Sequence, residues 1–323
     1  MRRLLLCVAV AAGALVAAPS VLADGPSFVT QGGAGVASRG GAIHWVAVSD
    51  GPRGRSATLL EKVSGGQVDY WIRLEGSWGT PTIGSGLQSG QGLSRDGHTL
   101  VLSSTGQPFS TPSRFLVVDL KRGRVVRTIA LHGYFTFDAL SPNASRMYVI
   151  EYTHGATNDV THYIVRAYDM RTNRLLPGKI ADRSEHEESM AGYAMTRTTS
   201  ADGRWVYTLY QKPNGEPFVH ALDTVRGAAY CIDLPNNNGL YNIVLSLRNR
   251  DRTLAAHWRS GRPWLDVAVG SWRISYPSAG FPWAWTGAGI GAALALLAAG
   301  ALLLWRRRGK KVEQHAGQEL GLA

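Results

Sequence analysis

Cysteine is nearly absent: 323 residues contain two, Cys7 and Cys231. That excludes a disulfide scaffold and a Cys-rich zinc domain. Charge is sparse as well, at 18% of residues, so the chain is not a disordered polyelectrolyte. The sequence has no Gly-x-Ser-x-Gly elbow, His-Glu-x-x-His pair, phosphate loop or dinucleotide fingerprint. What is plentiful is glycine (38 residues), with 10 Trp and 12 Tyr. Many glycines with many aromatics suit a turn-rich β protein better than a helical bundle.

The two ends read as address and anchor. Arg2 and Arg3 precede an apolar run from Leu4 to Ala18, and Val21-Leu22-Ala23 offers a cleavage site before Asp24. Residues 1–23 therefore read as a secretory signal; the alternative is an uncleaved N-terminal anchor, for which the run is short. Cleavage removes Cys7 and leaves Cys231 as the only thiol. Residues 285–305 carry no charge and span about 30 Å as a helix, the thickness of a hydrocarbon core. Trp283, Trp285 and Trp305 sit near the ends of this segment, where indoles favour the headgroup region, and Arg306, Arg307, Arg308, Lys310 and Lys311 follow. The positive-inside rule places that tail, 306–323, in the cytoplasm. Gly287, Gly291 and Ala295 permit close packing with another helix, so a helix-mediated dimer is an open expectation. No Leu-Pro-x-Thr-Gly sorting motif precedes the span, so a retained anchor is expected. Residues 24–277 are then an ectodomain, and 278–284 a linker.

Between Asp24 and Gly280 the balance is 27 cationic against 21 acidic residues, with 23 Arg and only four Lys. That mild excess fits a high-GC genome as readily as an anionic partner. With no concentrated basic patch in an exported domain, nucleic acid is not an expected partner.

A unit recurs through the ectodomain. Leu93-Ser94-Arg95-Asp96-Gly97, Leu140-Ser141-Pro142-Asn143-Ala144 and Thr199-Ser200-Ala201-Asp202-Gly203 each precede an apolar run. Leu247-Arg248-Asn249-Arg250-Asp251 is a worn copy, and Ser38-Arg39-Gly40-Gly41 takes the same place upstream. Each reads as a tight hairpin joining two strands. Two more strands follow each hairpin, for example Phe115–Leu120 and Val125–Leu131 around the turn Lys121-Arg122-Gly123. Five units of about 50 residues, four strands each, fill Phe28 to Tyr276. This is the pattern of an all-β, five-bladed β-propeller. A two-sheet sandwich is the rival arrangement, and a strand shared across the ring seam is expected at the weak first unit.

The Ser-x-Asp-Gly hairpin, followed by a strand ending in Asp and a Gly-containing turn, resembles the WD40-like and YVTN/surface-layer propeller repeats of bacterial exported proteins. The units at Asp96 and Asp202 keep Asp-Gly; no Gly-His…Trp-Asp signature appears. The resemblance implies a propeller whose functional surface lies at a mouth of the central channel.

Candidate residues follow from that register. Tyr134, Tyr193 and Tyr241 each precede a hairpin by the same step and would line one rim, where aromatics stack on sugars, peptide side chains or cations; the other reading is packing between blades. Asp138 falls on an inner strand. Five-bladed propellers include inverting glycosidases that use inner-strand carboxylates, but such chemistry needs a second acid about 6.5–9.5 Å away. The neighbouring inner strands offer Gln91, Arg197 and Leu245 instead, and Arg197 suits pairing with Asp138 or binding an anion. Glu185, His186 and Glu188, and separately His154, Asp159 and His162, are loose constellations that read better as surface loops. Cys231 reads as a small buried apolar residue. No catalytic residue, metal or cofactor is assigned. The expectation is a single-pass protein of a bacterial cell envelope, with an extracytoplasmic module that binds or scaffolds a protein or envelope glycan. The alternatives are a glycan hydrolase, or an accessory or sensor subunit of a membrane complex.

Overall fold

The computed structural model describes residues 28–50, 57–83, 90–105, 111–152, 162–182 and 190–277. They form five antiparallel sheets arranged in chain order. β1 (Phe28–Thr30) enters first. The first blade is β2 (Val36–Ala37), β3 (Ile43–Asp50), β4 (Ala57–Ser64) and β5 (Gln67–Glu75). The second is β6 (Trp78–Thr82), β7 (Thr99–Ser104), β8 (Ser113–Asp119) and β9 (Arg124–Leu131). The third is β10 (Phe135–Leu140), β11 (Arg146–Tyr152), β12 (His162–Asp169) and β13 (Arg174–Leu175), with β14 (Met190–Ala191) also paired to β12. The fourth is β15 (Tyr193–Thr199), β16 (Trp205–Gln211), β17 (Pro217–Asp223) and β18 (Ala228–Asp233). After a 3-10 turn, Leu240–Asn242, the fifth is β19 (Ile243–Arg248), β20 (Thr253–Trp258), β21 (Pro263–Ala268) and β22 (Ile274–Ser275).

Alternation along the second strands of blades two, three and four shows why these sheets stack as blades and not as a sandwich. Successive side chains of a strand point to opposite faces. In β7, Leu100 and Leu102 pack into a core shared with the first blade, while Val101 packs into one shared with the third. In β11, Met147 and Val149 face the second blade; Tyr148, Ile150 and Tyr152 face the fourth. In β16, Val206 and Tyr210 face the third blade; Tyr207 and Leu209 face the fifth. Each of these strands is buried on both faces, as a radial stack of sheets requires. Among the described residues, four cores join blades one to two, two to three, three to four and four to five; none of the four joins blade five to blade one.

The outer turns explain the Asp that ends three of the strands. Asp119, Asp169 and Asp223 each accept backbone N–H groups two or three residues ahead, from Arg122, from Arg171 and Thr172, and from Val225 and Arg226. A carboxylate at that position closes the turn from within.

Seam and anchor depart from expectation or escape description. Among the described residues, no strand passes from the N-terminal segment to the last blade, and the four strands of blade five come from residues 243–275. β1 adds to the inner edge of blade two instead, in register Phe28↔Thr82. The Thr30 and Thr80 hydroxyls, 3.1 Å apart, and a Gln31 Nε2–Trp78 carbonyl bond of 2.9 Å hold it there. The expected signal (1–23), linker (278–284), span (285–305) and tail (306–323) lie outside the described residues. Among the described residues, no helix is long and apolar enough to cross a membrane.

Candidate functional site

The hairpins between first and second strands of blades two, three and four carry one hydrogen-bond device, and blade one keeps its serine half. Ser200 Oγ accepts the Trp205 N–H (2.8 Å) and donates to Asp202 Oδ1 (2.6 Å), which accepts the Arg204 N–H (2.9 Å). Ser94 and Asp96 do the same with Thr99 and His98. Ser141 and Asn143 repeat it with Arg146 and Ser145. Ser38 Oγ accepts the Ile43 N–H (3.1 Å) in blade one. The repeated residues are therefore turn staples. For Asp96 and Asp202, burial alone would raise the carboxyl pKa. The serine hydroxyl and the backbone N–H outweigh it and hold both below the usual carboxylate value. Gly97 and Gly203 take φ of 74° and 76°, which a glycine adopts without cost. The fifth hairpin has lost the serine and runs Asn249, Arg250 and Asp251 at φ of 54°, 55° and 64°.

Asp138 occupies a β-bulge in β10, where the register to β11 shifts between Phe137 and Ala139. Bulges re-aim side chains. Here the carboxylate is 2% exposed and meets Arg197, from the inner strand β15 of the adjacent blade. Arg197 Nη2 donates to Asp138 Oδ1, Nη1 donates to the Asp138 carbonyl, and Nε donates to Thr208 Oγ1 at 2.8 Å. A cavity of about 90 Å³ lies beside the pair, bounded by residues of blades two, three and four. The inner-strand carboxylate is thus bound to a guanidinium, not held beside a second acid.

The tyrosines lie at the other end of the inner strands from the hairpins, some six residues or about 20 Å away. Tyr134 and Tyr193 are half-buried against the core between blades three and four. Tyr241, in the 3-10 turn, is 63% exposed. The three share an end of the ring but not an environment. Cys231 is half-buried, not fully so. Its sulfur lies 4.0 Å from His220 Nδ1, and its backbone N–H donates to Asp182 Oδ2 at 2.7 Å. Burial lowers the His220 pKa to about 4, with Arg197 adding to the drop and Asp138 opposing it. Among the described residues, its Nε2 has no hydrogen-bond partner. Nothing in the repeat flagged His220; its place opposite Cys231 follows from the pairing of β17 with β18. His162 opens β12, half-buried and paired with Ala191. His154, Asp159, Glu185, His186 and Glu188 lie outside the described residues.

No protein-family model matches the chain, and no curated protein matches it. Among solved structures, the hydrazine synthase of Kuenenia stuttgartiensis is similar at a TM-score of 0.45 and 14% identity, over 72% of this chain and 63% of that one. The Cps50 (Swd1) β-propeller domain of Myceliophteria thermophila is similar at 0.43 and 12%, over 80% and 73%. TolB from Acinetobacter baumannii is similar at 0.40 and 13%, over 77% and 56%. The chain thus spans less than two thirds of the hydrazine synthase and TolB chains. The propeller fold itself stands on the five sheets and the cores between them.

Proposed function

We propose that the chain is a binding or scaffolding module, membrane-anchored and extracytoplasmic, whose partner is a protein or an envelope glycan. The carrying observation is the fate of Asp138. The one inner-strand acid that the register offered to hydrolysis is buried against Arg197 and bonded to it through both side chain and carbonyl. An inverting glycosidase needs two accessible carboxyl groups with a water between them. A carboxylate committed to a neighbouring blade serves the ring instead. Tyr241 supports the binding reading from the other end, as a large, amphipathic, low-entropy side chain exposed where the inner strands begin.

The test places a photo-crosslinking residue at 241 in the full chain in native membranes, with Val126, exposed on an outer strand, as the control position. A discrete adduct at 241 and none at 126 supports the module and its rim. Release of sugars from purified envelope glycan by the full chain, lost on Asp138→Asn, would overturn it.

A further inference from the structure

We propose that the hairpin end of the channel, opposite the Tyr241 rim, binds an oxyanion group: the phosphate, sulfate or carboxylate of a ligand. A concavity of about 560 Å³ opens there between the hairpins of blades one, two, four and five. Arg39, Arg95 and Arg250 reach it from three different blades. Among the described residues none of the three side chains has a hydrogen bond or ion pair. Arg39 and Arg250 are exposed, as free guanidinium groups often are. Arg95 is different. Its aliphatic stem crosses from blade two to blade four and lies over Gly203, its carbons 3.3–3.4 Å from where a Cβ would sit. Its Nε is buried and has no acceptor. A buried donor left unmet is costly and rare, and an oxyanion seated in the mouth supplies the acceptor that the protein does not.

The carboxylates in the same mouth are occupied. Asp202 staples its own hairpin, and Asp251 Oδ2 accepts the Ala201 N–H at 2.6 Å. That bond ties the left-handed turn 249–251 to blade four and holds Arg250 at the opening, in a backbone conformation unfavourable for residues with side chains. Three forked cations face two committed anions, and guanidinium forks match oxyanions in geometry as well as charge.

The experiment titrates the purified full chain in detergent with sodium phosphate, sodium sulfate and sodium citrate, by calorimetry, with ionic strength held constant by sodium chloride. Saturable binding of at least one anion is expected. Arg95→Gln should weaken it about tenfold or more, and Arg95→Lys, which keeps charge but loses the fork, should restore only part. An R39Q/R95Q/R250Q variant should lose binding. R114Q/R124Q/R174Q, which removes the same charge from exposed positions elsewhere, should keep it. Should the first triple variant not fold, Arg250→Gln alone carries the comparison. Phosphate and sulfate binding assigns a tetrahedral anion; citrate binding alone assigns carboxylates. No saturable binding, or equal loss in both triple variants, overturns the proposal.

Discussion

The buried Asp138–Arg197 pair makes a prediction that stability measurements can decide. Each partner is at most 2% exposed at the side chain, so neither charge is rescued by water. Removing one member of such a pair leaves an uncompensated charge and costs about 3–5 kcal/mol. For a domain of this size 1 kcal/mol moves the melting temperature by about 2–4 °C, so each single variant should melt about 6–20 °C lower. Asp138→Leu orphans a guanidinium, which retains the backbone carbonyl of position 138 and Thr208 as acceptors, and Arg197→Met orphans a carboxylate. The double variant Asp138→Leu/Arg197→Met should recover most of the loss, because an apolar pair of similar volume replaces a costly desolvated one. The assay is thermal unfolding of the full chain by circular dichroism at pH 7, in a double-substitution cycle. Single variants within about 1 kcal/mol of wild type, or strictly additive effects, would show that the pair does not hold the blades together.

Three further outcomes are expected. His220 has its pKa depressed from 6.5 to about 4, so its stabilisation is complete above pH 6.5 and is lost as pH falls toward 4; the loss is about 3 kcal/mol, and His220→Phe should flatten denaturant-measured stability across that window. Asp96, Asp202 and Asp223 have lowered pKa values, so the stability they supply is present above the ordinary carboxylate value and vanishes below about pH 4, as a second acid transition that His220→Phe leaves in place. Ser200→Ala strips the Trp205 N–H and the Asp202 carboxylate of a shared partner and should cost about 1–3 kcal/mol in chemical denaturation, whereas a loss under 0.3 kcal/mol would deny the staple its role.

The fold was legible because the ring repeats its constraints. Strand alternation recurs in each unit and the hairpin serine in four of the five, so a pattern faint in one copy gains weight across the set. The seam was less legible. Where β1 pairs depends on Thr30, Gln31, Thr80 and Trp78 meeting in space, and no periodicity encodes that. The Asp138–Arg197 contact was visible only as a shared register on neighbouring inner strands. Its closure needed the bulge at Asp138, which no local residue preference announces. The tyrosines shared a register too, yet Tyr134 and Tyr193 turn toward a core while Tyr241 stands in solvent. Register fixes the end of the blade, and side-chain packing decides what the residue meets there.

That difference bears on how such a ring acquires specificity. A position occupied alike in most units is answering a demand that those units share. The hairpin serines and the Asp or Asn two residues on are of this kind, and their hydrogen bonds stay within their own turn. The residue directly after the serine is under no such demand: it is Arg39, Arg95, Pro142 and Ala201 in successive units. In the fifth, where the serine itself is gone, a left-handed turn carries Arg250 to the same mouth. These positions point where the hairpins converge, and they are free to differ because the staple beside them already holds the turn. Repetition therefore builds the mouth, and departures from repetition give it charge. A ligand site in a ring of this kind is to be sought among the residues that break the repeat, beside the ones that keep it.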